Sequence, residues 1–160
     1  MGVRGLSTGH TLTALTMNLF AEAFGGFDPN ADVDAAVKFV LSLLAMDCRL
    51  DRLVPLLEAN RRIGGIGGDP GWEVERRNPC PPVASAYSDW PAWAAYRVYV
   101  EPEGCRLEHS EAFYDERTFA GYVWVIAAVY GRHHPEDMSL VARLLDPLPK
   151  RPAPEAAEVG

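Results

Sequence analysis

The chain has 160 residues, of which 48% are apolar and 23% charged, with a formal net charge of −7. That length suits one domain with its own core, and the composition excludes a disordered or collagen-like chain. The negative charge argues against duplex DNA or anionic membrane as a partner, because both repel it; a basic protein is the natural counterpart, and solubility alone would equally explain a charge of this size.

Leu12, Leu15, Leu19, Phe20, Ala23 and Phe24 recur at helical spacing, and Gly25-Gly26 ends that helix. A second helix is predicted with Asp32 as its N-cap and Val33, Ala36, Val37, Val40, Leu41 and Leu44 along one face. A third is predicted from Asp51 to Arg62, with Pro55 in its first turn and Leu53, Leu56 and Leu57 facing the core. The glycines from Gly64 to Gly71 predict a flexible connection. Trp72 to Arg76 reads as a short strand, and Asn78 to Pro82 as irregular chain, since proline cannot donate to a sheet ladder. Trp93 to Val100 has strand composition, Glu101 to Gly104 turn composition, and Cys105 to His109 is the predicted return strand of a hairpin. Asp115 caps a further helix whose buried face holds Phe119, Tyr122, Val123, Ile126 and Tyr130, with Gly131 as its stop. Pro135-Glu136-Asp137 starts a last helix that packs through Leu140, Val141, Leu144 and Leu145. The expected fold is α+β: one mainly helical domain over residues 1–146 with a small antiparallel sheet or hairpin, followed by a Pro- and Ala-rich tail, 147–160, expected to be disordered. One core should unite Val37, Val40, Leu41, Leu44, Tyr122, Val123 and Ile126.

The N-terminal stretch is interrupted by His10, Thr11, Thr13, Thr16 and Asn18, which does not suit a secretory signal, and Met17 offers an alternative translation start. The longest apolar run, Tyr122 to Tyr130, is too short to span a bilayer. Cys48, Cys80 and Cys105 are odd in number and form no CxxC pair, which fits a reducing compartment without a disulfide framework. A cytoplasmic protein is expected.

Catalytic signatures are weak. Gly5-Leu6-Ser7-Thr8-Gly9 matches the serine-hydrolase GxSxG pattern, but too little chain precedes it to supply the strand that feeds such a turn. The glycines at 64–68 lack the Gly-Lys-Ser/Thr of a phosphate loop, and the only lysines are Lys38 and Lys150. His133 and His134 on one helix would point about 100° apart, a poor metal-ligand geometry, so they form a site with His109 and Glu111 only if the fold converges them. Neither a metal nor a cofactor is expected. Trp90, Trp93, Tyr96 and Tyr99 form an aromatic stretch, yet only Arg97 lies within it, which suits packing better than stacking on nucleic-acid bases.

The densest charge lies from Glu101 to Thr118, where Glu101, Glu103, Glu108, Glu111, Asp115 and Glu116 stand against Arg106 and Arg117. Such a rim is either solvated surface or a docking face for a basic protein. The expected partner-binding residues are Glu103, Glu108, Glu111, Phe113, Tyr114, Asp115 and Glu116, with the two aromatics as anchors.

The run from Glu111 to Val123, then Tyr130-Gly131-Arg132-His133-His134-Pro135-Glu136-Asp137, then Leu140 to Leu145, resembles bacterial immunity proteins over the last third of the chain. The resemblance implies a non-enzymatic inhibitor that covers the active site of a toxin, with acidic residues against a basic cleft. Two other functions stay open: an enzyme using His109, His133, His134 or a carboxylate in a shared pocket, and an adaptor subunit of a larger bacterial assembly. Convergent histidines and carboxylates would favour the first, and a large exposed apolar patch the second.

Overall fold

A computed structural model of the chain describes residues 19–58, 64–69, 71–77 and 87–150. The N-terminal GxSxG segment, Cys80 with its surrounding prolines, and residues 151–160 lie outside these ranges. The described residues form an α+β domain with a four-stranded antiparallel sheet. No helix among them is long and apolar enough to cross a membrane.

A first helical segment, α1 (19–24), ends as expected at Gly25 and Gly26, whose φ angles of 72° and 136° favour glycine. The second helix, α2 (Ala35–Met46), buries Ala36, Val37, Val40, Leu41 and Leu44, as its periodicity predicts. Its N-cap, however, is Asp34 rather than Asp32. The Asp32 carboxylate instead accepts the Asp28 amide at 2.8 Å and pairs with Lys38 at 3.0 Å, closing the loop before the helix. Because α2 starts later than expected, Val33 precedes it and is 70% exposed.

The C-terminus of α2 has a Schellman motif. The amides of Cys48 and Arg49 donate to the carbonyls of Ala45 and Leu44 at 3.2 and 2.8 Å. Cys48 occupies the left-handed position of this motif, at φ 55°, where glycine is the usual residue. Cys48→Gly should therefore raise stability by about 1 kcal/mol. An unchanged or lowered denaturation midpoint would show that the thiol makes compensating contacts.

A 3₁₀ turn (Leu50–Leu53) leads into a single helical turn, α3 (Val54–Leu57). Pro55 sits in the first turn, and Leu53, Leu56 and Leu57 are buried, as predicted. The helix does not run to Arg62: it stops at Leu57, and Glu58 is extended. Its last carbonyls are met by a side chain, Arg76, whose Nη1 donates to Leu56 and Leu57 at 3.1 and 2.8 Å.

The sheet is a meander, β1 (Gly65–Gly68), β2 (Trp72–Arg76), β3 (Tyr96–Val100) and β4 (Glu111–Tyr114), in that spatial order. Strand β1 replaces the flexible connection predicted for the glycine cluster. Its glycines permit a close approach to β2: a Cβ at Gly67 would come within 2.9 Å of the Trp72 carbonyl, and one at Gly68 within 3.1 Å of the Trp72 indole. The partner of β3 is not Cys105–His109 but Glu111–Tyr114. The chain from 105 to 109 is a loop, anchored by buried Leu107 and by the Glu108 amide on the Pro29 carbonyl at 2.9 Å. Strand β3 itself starts at Tyr96, and Trp93 is 62% exposed.

Helix α4 (Glu116–His133) starts at the expected cap, Asp115, whose Oδ1 accepts the Thr118 amide at 2.7 Å. Backbone hydrogen bonding to Thr118 lowers the Asp115 pKa. A depressed carboxylate stabilises the fold above its unfolded pKa, and this contribution fades as pH falls through the folded value. Asp115→Ala should cost about 1 kcal/mol at neutral pH and progressively less in acid. A loss that stayed constant from pH 7 to pH 2 would contradict this role.

Gly131 does not end α4; the helix continues to His133. The glycine is buried where α5 (Met138–Leu145) packs, and a Cβ there would meet Met138 Sδ at 3.3 Å and Val141 Cγ2 at 3.4 Å. A 3₁₀ turn, Pro135–Asp137, leads into α5, which buries Val141 and Leu144 and packs Leu140 and Leu145 in part. Beyond it, Leu148 rests on the core.

The core lies between α2, α4 and one face of the sheet. Six of the seven expected core residues belong to it. Val37, Val40, Leu41, Leu44, Val123 and Ile126 are fully buried, whereas Tyr122 packs at its margin and donates its hydroxyl to Asp34 at 2.8 Å. Across the layers, Tyr96 stacks on Phe119 with ring centroids 4.0 Å apart.

Candidate functional site

Strand alternation divides the sheet into two chemistries. Trp72 and Val74 of β2, Tyr96, Val98 and Val100 of β3, and Tyr114 of β4 point into the core. The opposite face is a grid fixed by the register. One row runs Gly65, Glu75, Arg97, Phe113, and the next runs Gly67, Glu73, Tyr99, Glu111. Every member of the grid is exposed or half-buried.

Arg97 is the hub of this face. Its Nε donates to Glu111 at 2.7 Å, and its Nη1 donates to Glu75 at 2.7 Å and reaches Glu73 at 3.5 Å. The guanidinium also lies 5.0 Å from the centre of the Tyr99 ring. Partial burial pulls its pKa down, but the bonds to Glu111 and Glu75 outweigh that, and the net shift is upward. Three carboxylates around one guanidinium leave the face negative. Beside it, Phe113 meets Trp90 edge-on at 5.6 Å, and Trp90 meets Tyr87 at 4.8 Å. Arg77 lies over both Tyr87 and Trp90 and donates to the carbonyls of Ala94 and Pro91, pinning this aromatic corner to the chain before β3.

The structure separates the expected partner-binding residues by role. Glu103 and Glu108 lie exposed on the loop after β3, with no ion-pair partner among the described residues, and Glu101 is exposed beside them. Glu111 and Phe113 belong to the outer grid. Asp115 is a helix cap, and Glu116, in the first turn of α4, pairs with Arg76 at 2.8 Å. Tyr114 faces the other way: it is 7% exposed, its ring meets Tyr122 edge-on at 5.3 Å, and burial pushes its pKa upward. Tyr114 therefore pins the strand to the core, and only Phe113 of the expected aromatic pair faces outward. Glu73, Glu75, Arg97 and Tyr99 extend the surface beyond the segment singled out in the sequence. The alternation in Trp72-Glu73-Val74-Glu75 is the signal that marks the two glutamates.

Among the described residues, the histidines do not gather in a shared pocket. His109 is exposed on the loop before β4, and His133 pairs with Glu22 at 2.8 Å. His134 stands with Glu136 and Asp137 on the turn before α5. Cys48 and Cys105 are free thiols. No family model, curated protein or solved structure matches the chain.

Proposed function

We propose that the chain is a small binding protein that docks a basic protein partner, and that it acts as an immunity protein, neutralising a toxin domain by direct contact. The observation that carries this reading is the outward sheet face, where Glu73, Glu75 and Glu111 surround one arginine and aromatic rings stand alongside. Glu101, Glu103 and Glu108 continue the negative surface from the end of β3. A rigid sheet with acidic and aromatic side chains offers both electrostatic steering and apolar contact. The resemblance of the last third of the chain to immunity proteins supports the toxin as the kind of partner.

The test uses a basic toxin domain encoded beside this chain, co-expressed with it and then measured for binding. Co-expression should rescue growth, and association should slow steeply with salt, because exposed charges are screened over about 8–10 Å at physiological ionic strength. Glu103→Lys with Glu108→Lys should slow association by about tenfold or more at low salt without altering the fold, as neither side chain has an ion-pair partner among the described residues. Glu111→Lys should act more strongly, but it also removes a partner of Arg97 and needs a parallel melting curve. Unchanged association in the folded double variant would defeat the acidic docking surface.

A further inference from the structure

His133 and His134 are not neighbours on one helix: α4 ends at His133, and His134 has left the helical conformation, with φ −131° and ψ 65°. Released from the helix, its imidazole joins Glu136 and Asp137 from the following turn. One ligand atom from each of the three residues lies within 4.8 Å of the other two.

The surrounding packing holds two of these donors in place. The His134 ring stacks on Tyr130 with centroids 4.4 Å apart. The Tyr130 hydroxyl, on a side chain 1% exposed, donates to Asp137 Oδ2 and leaves that carboxylate's other oxygen available. Imidazole and carboxylate therefore meet at one buried tyrosine. A mixed set of nitrogen and oxygen donors suits a zinc-type divalent ion, whereas calcium and magnesium prefer oxygen alone. Outer groups that fix a ligating histidine and carboxylate, as Tyr130 does here, commonly accompany such sites.

We propose that His134, Glu136 and Asp137 bind a divalent transition-metal ion of the zinc class. The ion would sit at the junction of α4 and α5. It is independent of the docking surface, since none of these residues belongs to the sheet.

Titration of the full chain with Zn²⁺, followed by calorimetry, should give saturable binding of one ion per chain. His134→Ala and Asp137→Asn should each weaken it at least tenfold, in line with the loss of one ligand, while His133→Ala leaves it unchanged. Absence of saturable binding, or equal binding by the His134 variant, overturns the site.

Discussion

Leu41→Ala should lower stability by roughly 2–5 kcal/mol. Leu41 is fully buried in the middle of α2. That helix packs against both α4 and β3, so the residue lies between two regular elements rather than beneath a loop. Regular elements move little when a side chain is cut back, so a cavity remains and adds to the lost transfer energy. For a domain of this size the change corresponds to a drop of roughly 5–15 °C in melting temperature. Thermal melts and urea titration of the variant measure it, and an unchanged midpoint would show that Leu41 is not a core residue.

The second large effect is expected at Arg76. Its guanidinium donates to the Leu56 and Leu57 carbonyls, pairs with Glu116 and lies 5.2 Å from the centre of the Tyr96 ring. One side chain thus ties the end of α3 to the sheet and to the start of α4. Its ion pair is half in water and contributes little, because Glu116 is 50% exposed. The carbonyls matter more, since α3 ends at Leu57 and Glu58 is extended, so they lie outside the helical ladder. Arg76→Met should cost about 2–4 kcal/mol by leaving those acceptors unpaired, and Glu116→Gln no more than about 1 kcal/mol. Arg76→Lys should recover only part of the loss, because an ammonium lacks the planar fork that reaches several acceptors at once. Equal losses in the Arg76→Met and Glu116→Gln variants would mean that the ion pair, not the carbonyl clamp, holds this corner.

Sequence pattern revealed what repeats at a helical or strand period. The apolar stripe of α2, the Asp115 cap, the bounds of β2 and the packing face of α4 all follow from side chains whose role is local. What escaped depends on partners distant in the chain. Gly65–Gly68 has poor strand propensity and becomes a strand only because Trp72 and Val74 receive it. Gly131 has the usual signature of a helix stop, yet it is the gap into which Met138 and Val141 fit. At the docking surface, Glu111 and Phe113 were legible from the charge density around them. The ring of glutamates around Arg97 was not, because it arises from three strands in a register that no single segment encodes.

Arg52 places its guanidinium on the Gly67 carbonyl at 2.6 Å and over the Trp72 ring at 5.4 Å. Gly64 accepts from Arg76, so the alternating ladder turns the backbone groups of Gly65 and Gly67 away from β2, toward the outer edge of the described sheet. An outer strand that is glycine at three of its four positions, with little side chain to obstruct a newcomer, is the kind of edge on which chains add to one another and aggregate. Here one of its few outward acceptors is already occupied, by a cation that is itself braced on an indole. A strand from a second molecule would have to dislodge that arginine and bury its charge before it could pair, so the sheet is protected against growth at its most vulnerable margin.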